Sequence, residues 1–236
     1  DGPQTNYLEG LFLPIFAGLR EHGYSFHVLQ FGWGDMARPR REAASRSAGI
    51  PYQYLAIHKR PRPFGPLWSA YRGGVHIAKA VREWGIDVLM PRSLMPALAT
   101  LSMRDNRLPV VFDADGLAAD ERVDFSGLSP DSLTYRLYRS IEARMVRQAD
   151  HILTRTDATM SILAARGGPD VSHDRFTVVG NGRDPAVFAP SSLEARNAIR
   201  AGLGIPVDAL LLVYAGSLGV QYCPDAMLAL LEKVQR

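Results

Sequence analysis

The sequence predicts an α/β fold in which a Rossmann-like parallel sheet, flanked by helices, is followed by the start of a second Rossmann-like domain. Short apolar segments alternate along the chain with longer segments of helical periodicity, a pattern typical of a parallel sheet covered on both faces. Turns that contain glycine or polar residues follow several apolar segments at their carboxyl ends, where open α/β sheets bind ligands. With 236 residues, 47% of them hydrophobic, the chain can bury a substantial core.

The individual elements follow from periodicity and from helix-ending glycines. Residues 8–19 place their apolar side chains on one helical face, and Gly23 is a plausible C-terminal cap. Gly49 and Gly85 end two further helices in the same way. The predicted strands are 26–31, 52–57, 87–91, 109–113, 151–155, 176–180 and 210–214, and the helices after 8–19 include 67–84, 94–103, 132–149 and 157–166.

A polar stretch punctuated by prolines, residues 181–192, marks the predicted domain boundary. We therefore expect an N-terminal domain over 1–182, a linker over 183–192 and an incomplete C-terminal domain over 193–236, which is short for an independent domain. Because the chain starts at a glycine-containing loop, we also expect the first strand of the N-terminal sheet to lie outside this sequence.

Composition excludes several classes of protein. The single cysteine, Cys223, rules out an intramolecular disulfide framework and favours a reducing compartment. The net charge is only +3 and no nucleic-acid motif is present, so we expect no nucleic-acid partner. No apolar run is long enough to span a membrane and no signal-like leader precedes the first helix, so we expect a cytoplasmic protein.

The cations are unevenly distributed. Lys59, Arg60 and Arg62 form a basic cluster beside Phe64 and Trp68. A basic and aromatic loop of this kind fits an anionic membrane surface or a phosphate group. A solvated loop explains the same residues, and the sequence leaves both interpretations open.

A dinucleotide-like motif follows the strand at 26–31. Gly32, Gly34 and Ala37 match the pattern G-x-G-x-x-A, but Asp35 would place a carboxylate beside the pyrophosphate. The acidic residue expected after the next strand is also absent, because His58 stands there. The motif is therefore weak support for a nicotinamide or flavin site.

Polar side chains follow two of the middle strands. Arg92 and Ser93 follow 87–91, while Asp113 and Asp115 end the strand at 109–113. Arg92 could hold a phosphate or a carboxylate through its planar fork, and either aspartate could accept a hydrogen bond from a sugar hydroxyl. The charges that come next, at 120–124, are more typical of a solvated ion network than of a site.

Other catalytic constellations are absent from the sequence. The six histidines show no HExxH or Cys/His spacing, so we expect no metal site. There is no G-x-S-x-G elbow and no P-loop, which argues against a serine hydrolase and a P-loop NTPase.

Four segments together resemble the retaining glycosyltransferases of GT-B architecture, specifically family 4. NGRDPAVF at 181–188 is similar to the crossover motif between the two domains of that family, and YAGSLGVQY at 214–222 is similar to its loop facing the nucleotide diphosphate. The helix-to-strand segment at 142–158 also resembles the family, with Arg155 and Thr156 bordering the cleft. VFDADG resembles an acceptor-facing element in which many members have a histidine.

The resemblance implies transfer of a sugar, with retention of configuration, from a nucleotide-sugar donor to a glycan or lipid-linked acceptor. It implies neither a metal nor another cofactor, because helix N-termini and cations neutralise the leaving diphosphate. The N-terminal domain would bind the acceptor and the C-terminal domain the nucleotide sugar. The paired-glutamate element of the family, E-x7-E, is not found in this sequence.

The implied site residues fall into three groups. Asp113 and Asp115 would be catalytic, and the domain crossover would be architectural, with Phe188 packing it down. The residues implied for substrate binding are Gly2, Gln4, Arg92, Ser93, Asn181 and Arg183, and those implied for the nucleotide sugar are Gly216, Ser217, Leu218, Gly219 and Tyr222.

Two alternatives remain open at the level of the sequence. One is a nucleotide-sugar epimerase of the same two-domain architecture, and the other is a non-catalytic binding module derived from a glycosyltransferase. Peripheral contact with the inner face of an anionic membrane, through the basic loop, is compatible with each.

Overall fold

The structure, a computed structural model, shows two compact units. Unit 1 comprises Asp1–Gly182 and unit 2 comprises Arg183–Arg236. The described residues are 7–33, 38–58, 64–103, 107–182, 185, 188–216, 219 and 222–234.

The strands of unit 1 are all parallel, as the alternation of strands and helices predicts. In one sheet β1 (Val28–Gly32) pairs with β2 (Tyr52–Ala56). In the other, β3 (Val111–Asp113), β4 (His151–Thr154) and β5 (Phe176–Val178) lie in the order β3-β4-β5. The α/β, Rossmann-like fold class is therefore confirmed.

The predicted strand at 87–91 is reduced to isolated bridges. Leu89 pairs with Val110 and Arg92 pairs with Asp113, both in parallel. Pro91, between them, has no N–H to donate, which interrupts the ladder. Its carbonyl still accepts from the amide of Asp113 at 3.0 Å, so this segment runs alongside β3.

Helices cover the sheets. A π-helical turn, Leu8–Phe12, leads directly into the first helix, and side-chain hydroxyls of Ser132, Thr156 and Ser192 cap three others at their N-termini. The helices are α1 (Leu13–Arg20), α2 (Arg38–Ser47), α3 (Phe64–Trp84), α4 (Leu94–Leu101), α5 (Asp120–Ser126), α6 (Leu133–Gln148), α7 (Asp157–Gly167), α8 (Leu193–Gly202) and α9 (Pro224–Val234). None of the helices in the described part of the chain combines the length and the apolar character that a membrane crossing requires.

The main core lies between β3-β4-β5 and the helices packed on it. Phe112 and Ile152 from the strands, Met145 from α6 and Leu163 from α7 are all 2% exposed or less. Arg175 ties the end of α6 to β5, because its guanidinium donates to the carbonyls of the last turn, including those of residues 146 and 147. The amino end of the sheet is thereby tied to the helix that packs on it.

Two adjacent glycines set how closely α3 approaches α4. A Cβ on Gly74 would lie 2.9 Å from the backbone carbonyl oxygen of Ala99, and one on Gly73 would lie 2.8 Å from the ring of Phe31. Larger side chains at these positions would push the two helices apart. Since α4 begins just after Ser93, this contact anchors the chain that leads out of the candidate site.

Unit 2 is built differently. The predicted strand at 210–214 does not form, because a strand requires a hydrogen-bonding neighbour and no other described residue of unit 2 pairs with it. Leu210 and Val213 are each 74% exposed. Phe188, which the resemblance implied would pack the crossover, is 66% exposed, so that expectation is wrong.

Candidate functional site

Four charged side chains meet at the carboxyl end of the larger sheet. We call Arg92, Asp113, Asp115 and Arg155 the arginine–aspartate cluster. Asp113 ends β3, Arg155 follows β4, and Arg92 pairs with Asp113 through a backbone bridge. Parallel strands bring these positions to one edge of the sheet, which is where such folds bind ligands.

Asp113 is the buried centre of the cluster. Its side chain is 2% exposed and lies between two guanidinium groups. Arg92 Nη1 is 2.5 Å from Asp113 Oδ2, and Arg155 Nη2 is 3.2 Å from both carboxylate oxygens. Such charge-assisted hydrogen bonds fix the two arginines in position.

Asp115 lies at the accessible side of the same cluster. Its side chain is 43% exposed and one carboxylate oxygen, Oδ1, is 2.5 Å from Arg92 Nη2 and 3.6 Å from Arg155 Nε. Arg155 Nε is buried without a hydrogen-bond acceptor. The cluster therefore presents one carboxylate to solvent and holds the other beneath it.

The backbone is strained at two positions beside these side chains. Ser93 has φ 63° and Asp115 has φ 64°, a region that non-glycine residues seldom occupy. The amide of Ser93 nevertheless donates to the carbonyl of Asp113 at 2.9 Å, so the strained turn is locked onto β3. Strained backbone of this kind clusters at functional sites, and nothing in the sequence pattern had indicated it.

An aromatic pair covers Arg92. The guanidinium carbon lies 4.7 Å from the ring centroid of Phe12 and 6.0 Å from that of Tyr7. Both distances allow a cation–π interaction. The side chain of Arg92 is 24% exposed. The first helical turns of the chain thus form one wall of the cluster.

Glu121 is a neighbour that the sequence assigned to a solvated surface, and the residue is exposed as expected. Partial burial nevertheless raises the pKa of its carboxyl, and the negative charge of Asp115 raises it further. A Cβ on Gly116 would lie 2.5 Å from Glu121 Oε1, so the missing side chain at Gly116 makes room for the carboxyl. Glu121 therefore lies near enough to Asp115 for the two carboxyl groups to influence one another.

The expected surface network around Asp120 is instead partly buried. Arg166, 10% exposed, bridges Asp120 Oδ2 at 2.7 Å and Glu142 Oε2 at 2.6 Å, and Tyr135 donates to Asp120 at 2.8 Å. Burial opposes ionisation of Asp120, but the hydrogen bonds from Arg166 and Tyr135 and the nearby positive charges outweigh it, so its pKa is lowered. Burial raises the pKa of Glu142 despite the same arginine. This network joins α5, α6 and α7 and has a structural role.

Of the four other residues implied for substrate binding, the structure describes Asn181. Asn181 is exposed and follows the segment whose Val179 carbonyl accepts from Arg155 Nη1 at 3.0 Å. Gly2, Gln4 and Arg183 lie outside the described residues.

Most of the dinucleotide-like motif also lies outside the described residues. Gly32 ends β1 and is buried, while Gly34, Asp35 and Ala37 lie outside the described residues. The motif stays a weak prediction.

The loop predicted to face the nucleotide sugar belongs to unit 2. A Cβ on Gly216 would meet the hydroxyl of Tyr214 at 2.7 Å, and the amide of Tyr222 donates to the carbonyl of Gly219 at 2.9 Å to form a turn before α9. Ser217 and Leu218 lie outside the described residues. Within the described part of the chain, no three His, Cys, Asp or Glu side chains are grouped as a metal site would require.

Comparison with known proteins identifies the family. The profile of the glycosyl transferase 4-like domain matches residues 12–182, which contain the whole arginine–aspartate cluster. The chain belongs to this family. Residues 12–182 of unit 1 are therefore a glycosyl transferase 4-like domain, and the GT-B glycosyltransferase resemblance is confirmed.

Curated relatives of this glycosyl transferase 4-like chain agree with the family. A D-inositol 3-phosphate glycosyltransferase of Saccharomonospora viridis is 29% identical over 185 residues, covering 74% of this chain and 41% of that protein. One of the same name from Mycobacterium bovis is 30% identical over 164 residues, covering 67% of this chain and 32% of that protein. The chain spans less than half the length of these relatives.

Solved structures show the same fold at low identity. The Anabaena protein HepE, in complex with UDP and glucose, matches with a TM-score of 0.51 and 16% identity over 86% of this chain and 48% of that one. A UDP-N-acetylglucosamine 2-epimerase matches with a TM-score of 0.50 and 14% identity over 86% of this chain and 58% of that one. At this identity the likeness shows the fold alone, because one fold can carry different functions.

Proposed function

We propose that this protein transfers a sugar from a nucleotide-sugar donor to an acceptor with retention of anomeric configuration. The observation that carries the proposal is the family match over 12–182, which includes the cluster at the carboxyl end of the sheet. Retention is supported by the resemblance of the motifs at 181–188 and 214–222 to retaining enzymes.

In this proposal unit 1 binds the acceptor through the arginine–aspartate cluster. Asp115, the exposed carboxylate, accepts a hydrogen bond from the acceptor hydroxyl that attacks the donor sugar. Asp113 acts through Arg92 and Arg155, because its buried carboxylate holds both guanidinium groups. Ser93 and Asn181, together with Gly2, Gln4 and Arg183, remain predicted substrate contacts at the edges of this surface.

In the same proposal unit 2 contributes contacts to the donor diphosphate. Gly216 and Gly219 allow close approach of the backbone, and the N-terminus of α9, which follows Tyr222, favours an anionic group. Ser217 and Leu218 complete the predicted loop. We propose that no metal or other cofactor takes part, since backbone amides and cations can neutralise the departing diphosphate.

The acceptor is proposed to be a glycan or a lipid-linked molecule handled in the cytoplasm, with peripheral contact to the inner face of an anionic membrane. Relatives named for inositol 3-phosphate add a phosphorylated polyol to the acceptors worth testing. The cationic pair of Arg92 and Arg155 is compatible with such an anionic group if Asp115 turns outward.

The test combines binding with product analysis. UDP-, GDP- and ADP-sugars are titrated calorimetrically, and each donor that binds is incubated with glycan, lipid-linked and inositol phosphate acceptors, with and without EDTA. Proton NMR of the product then gives the anomeric configuration. We expect one donor to be used, the configuration to be retained and EDTA to have no effect, and an inverted product would refute retention.

Variants of the cluster assign the roles. Asp115→Asn should lower transfer while leaving the affinity for the donor unchanged, and Glu83→Gln, on the exposed face of α3, is the matched control. Conversion of the nucleotide sugar without an acceptor would identify an epimerase instead. Donor or acceptor binding with no turnover would identify a non-catalytic binding module.

A further inference from the structure

The outward face of α3 carries a continuous apolar stripe. Phe64, Trp68, Tyr71 and Val75 are 70%, 58%, 57% and 72% exposed, and their spacing of four, three and four residues aligns them along one side of the helix. The rings of Trp68 and Tyr71 are stacked with centroids 6.2 Å apart. We call these four side chains the α3 stripe, and they extend over about 16 Å of helix at 1.5 Å per residue.

The opposite face of α3 is the one that packs against the protein. Ala70, Gly73, Gly74, Ile77 and Ala80 are all buried, and the two glycines bring this face against α4. The helix therefore has two apolar faces, of which the core uses one. Large aromatic groups on the other face are costly to leave in water, which marks the stripe as an interaction surface.

Cations flank the α3 stripe. Arg72, Lys79 and Arg82 are exposed on the same helix, whose single acid, Glu83, lies 3.6 Å from Lys79. Neither Arg72 nor Arg82 has an ion-pair partner among the residues that the structure describes. The sequence directly before α3 adds the basic residues at 59, 60 and 62.

We propose that the α3 stripe docks on an anionic lipid bilayer, with α3 lying in the plane of the interface. Indole and phenol rings combine an apolar body with a polar tip, which suits the boundary between headgroups and acyl chains. The flanking cations suit anionic headgroups, to which each adds attraction. In a symmetric pair of this chain the same cations would face one another, which disfavours a second copy as the occupant.

This inference deepens the membrane contact of the proposed function and gives it a defined surface. Because α4 leaves the candidate site at Ser93 and packs on α3, docking would hold the acceptor-binding unit at the bilayer, where a lipid-linked acceptor resides.

The test measures binding to vesicles, without any transfer reaction. The protein is co-sedimented with vesicles of phosphatidylcholine alone or mixed with phosphatidylglycerol, and the quenching of tryptophan fluorescence by spin-labelled lipids is compared between wild type and a Trp68→Phe variant. We expect binding to the mixed vesicles and a component of the quenching that disappears when Trp68 is replaced. The double variant Trp68→Ser, Tyr71→Ser should bind at least about tenfold more weakly, because it removes most of the aromatic surface that is buried on docking.

Matched controls separate the stripe from general surface hydrophobicity. Tyr24 and Leu133 are 62% and 81% exposed elsewhere in unit 1, so Tyr24→Ser with Leu133→Ser should leave vesicle binding unchanged. Arg72→Ser and Arg82→Ser should each weaken binding roughly fivefold at low salt, and less at high salt. Thermal unfolding of every variant tests whether it is folded.

Three results would overturn the inference: equal binding of wild type and the double serine variant, equal binding to vesicles with and without phosphatidylglycerol, or a wild-type dimer that the double variant lacks. A protein that docks as expected but transfers no sugar would keep this inference and lose the proposed function. A protein that transfers sugar but does not bind vesicles would support the proposed function and refute this inference.

Discussion

The two units use helices of similar amphipathic character in different ways. In unit 1, α6 buries Tyr138, Ile141 and Met145 against the sheet and its neighbours. In unit 2, α8 leaves Leu193 and Ile199 64% and 61% exposed, and α9 exposes most of its apolar residues. The difference shows that an apolar helical face stabilises a fold only when a sheet or another helix covers it.

The largest expected contrast between the units is in stability. Ile152→Ala, in β4 of unit 1, should lower the free energy of unfolding by about 2–5 kcal/mol because it empties a fully buried site. Leu212→Ala, in the exposed segment of unit 2, should change it by less than about 0.5 kcal/mol. Urea denaturation followed by circular dichroism measures both. A large loss for Leu212→Ala would mean that this segment is packed in solution.

A smaller difference in stability is expected between the two aspartates of the arginine–aspartate cluster. Asp113→Asn removes the buried charge that two partly exposed, hydrogen-bonding arginines share, and should cost about 1.5–3 kcal/mol of unfolding free energy. Asp115→Asn should cost less than about 1 kcal/mol, because that carboxylate is 43% exposed and its ion pairs are screened by water. The same denaturation experiment compares them, and equal losses would contradict the burial of one and the exposure of the other.

The network around Asp120 should make the stability of unit 1 depend on pH. Asp120→Asn should cost about 1–2 kcal/mol at pH 7, because the hydrogen bonds from Arg166 and Tyr135 are weakened. The folded state lowers the pKa of Asp120, so its contribution is present above the ordinary aspartate pKa, about 3.9, and is lost as pH falls through the lower folded value. The gap between wild type and variant should therefore narrow only below about pH 4. Glu83→Gln is the control, and a gap that closes nearer neutral pH would contradict the lowered pKa.

The smallest expected effect on stability is at Gly216 in unit 2. Gly216→Trp should leave the unfolding of unit 1 unchanged, since Gly216 lies in the other unit, yet it should abolish donor binding if the predicted loop faces the nucleotide. Calorimetric titration of the donor measures this effect. An unchanged affinity in the folded variant would remove Gly216 from the site.

Much of unit 1 could be predicted because its cues are local. The end of α3 at Trp84 follows from Gly85, and β4 follows from a short apolar run between polar residues. The meeting of Arg92 and Asp113 could be anticipated as well, since both lie at the carboxyl ends of predicted strands of one parallel sheet.

The remaining features depend on contacts that are distant in sequence. Arg166 reaches Asp120 across 46 positions, so sequence reasoning placed Asp120 in a solvated surface when it is part of a partly buried network. The charged residues Glu121, Arg122 and Asp124 are exposed, as expected. The positive φ angles of Ser93 and Asp115 are fixed by the hydrogen bonds around β3, and neither residue type signals them. The segment at 210–214 has strand composition, but composition cannot supply the neighbour that a strand needs.

The paired glycines of α3 have a mechanical consequence. With no side chain at Gly73 or Gly74, the backbones of α3 and α4 lie so close that neither helix can slide past the other without a clash. We therefore expect the two helices to move together, so that a displacement of α3 would be passed through α4 to the strained turn at Ser93, where α4 begins.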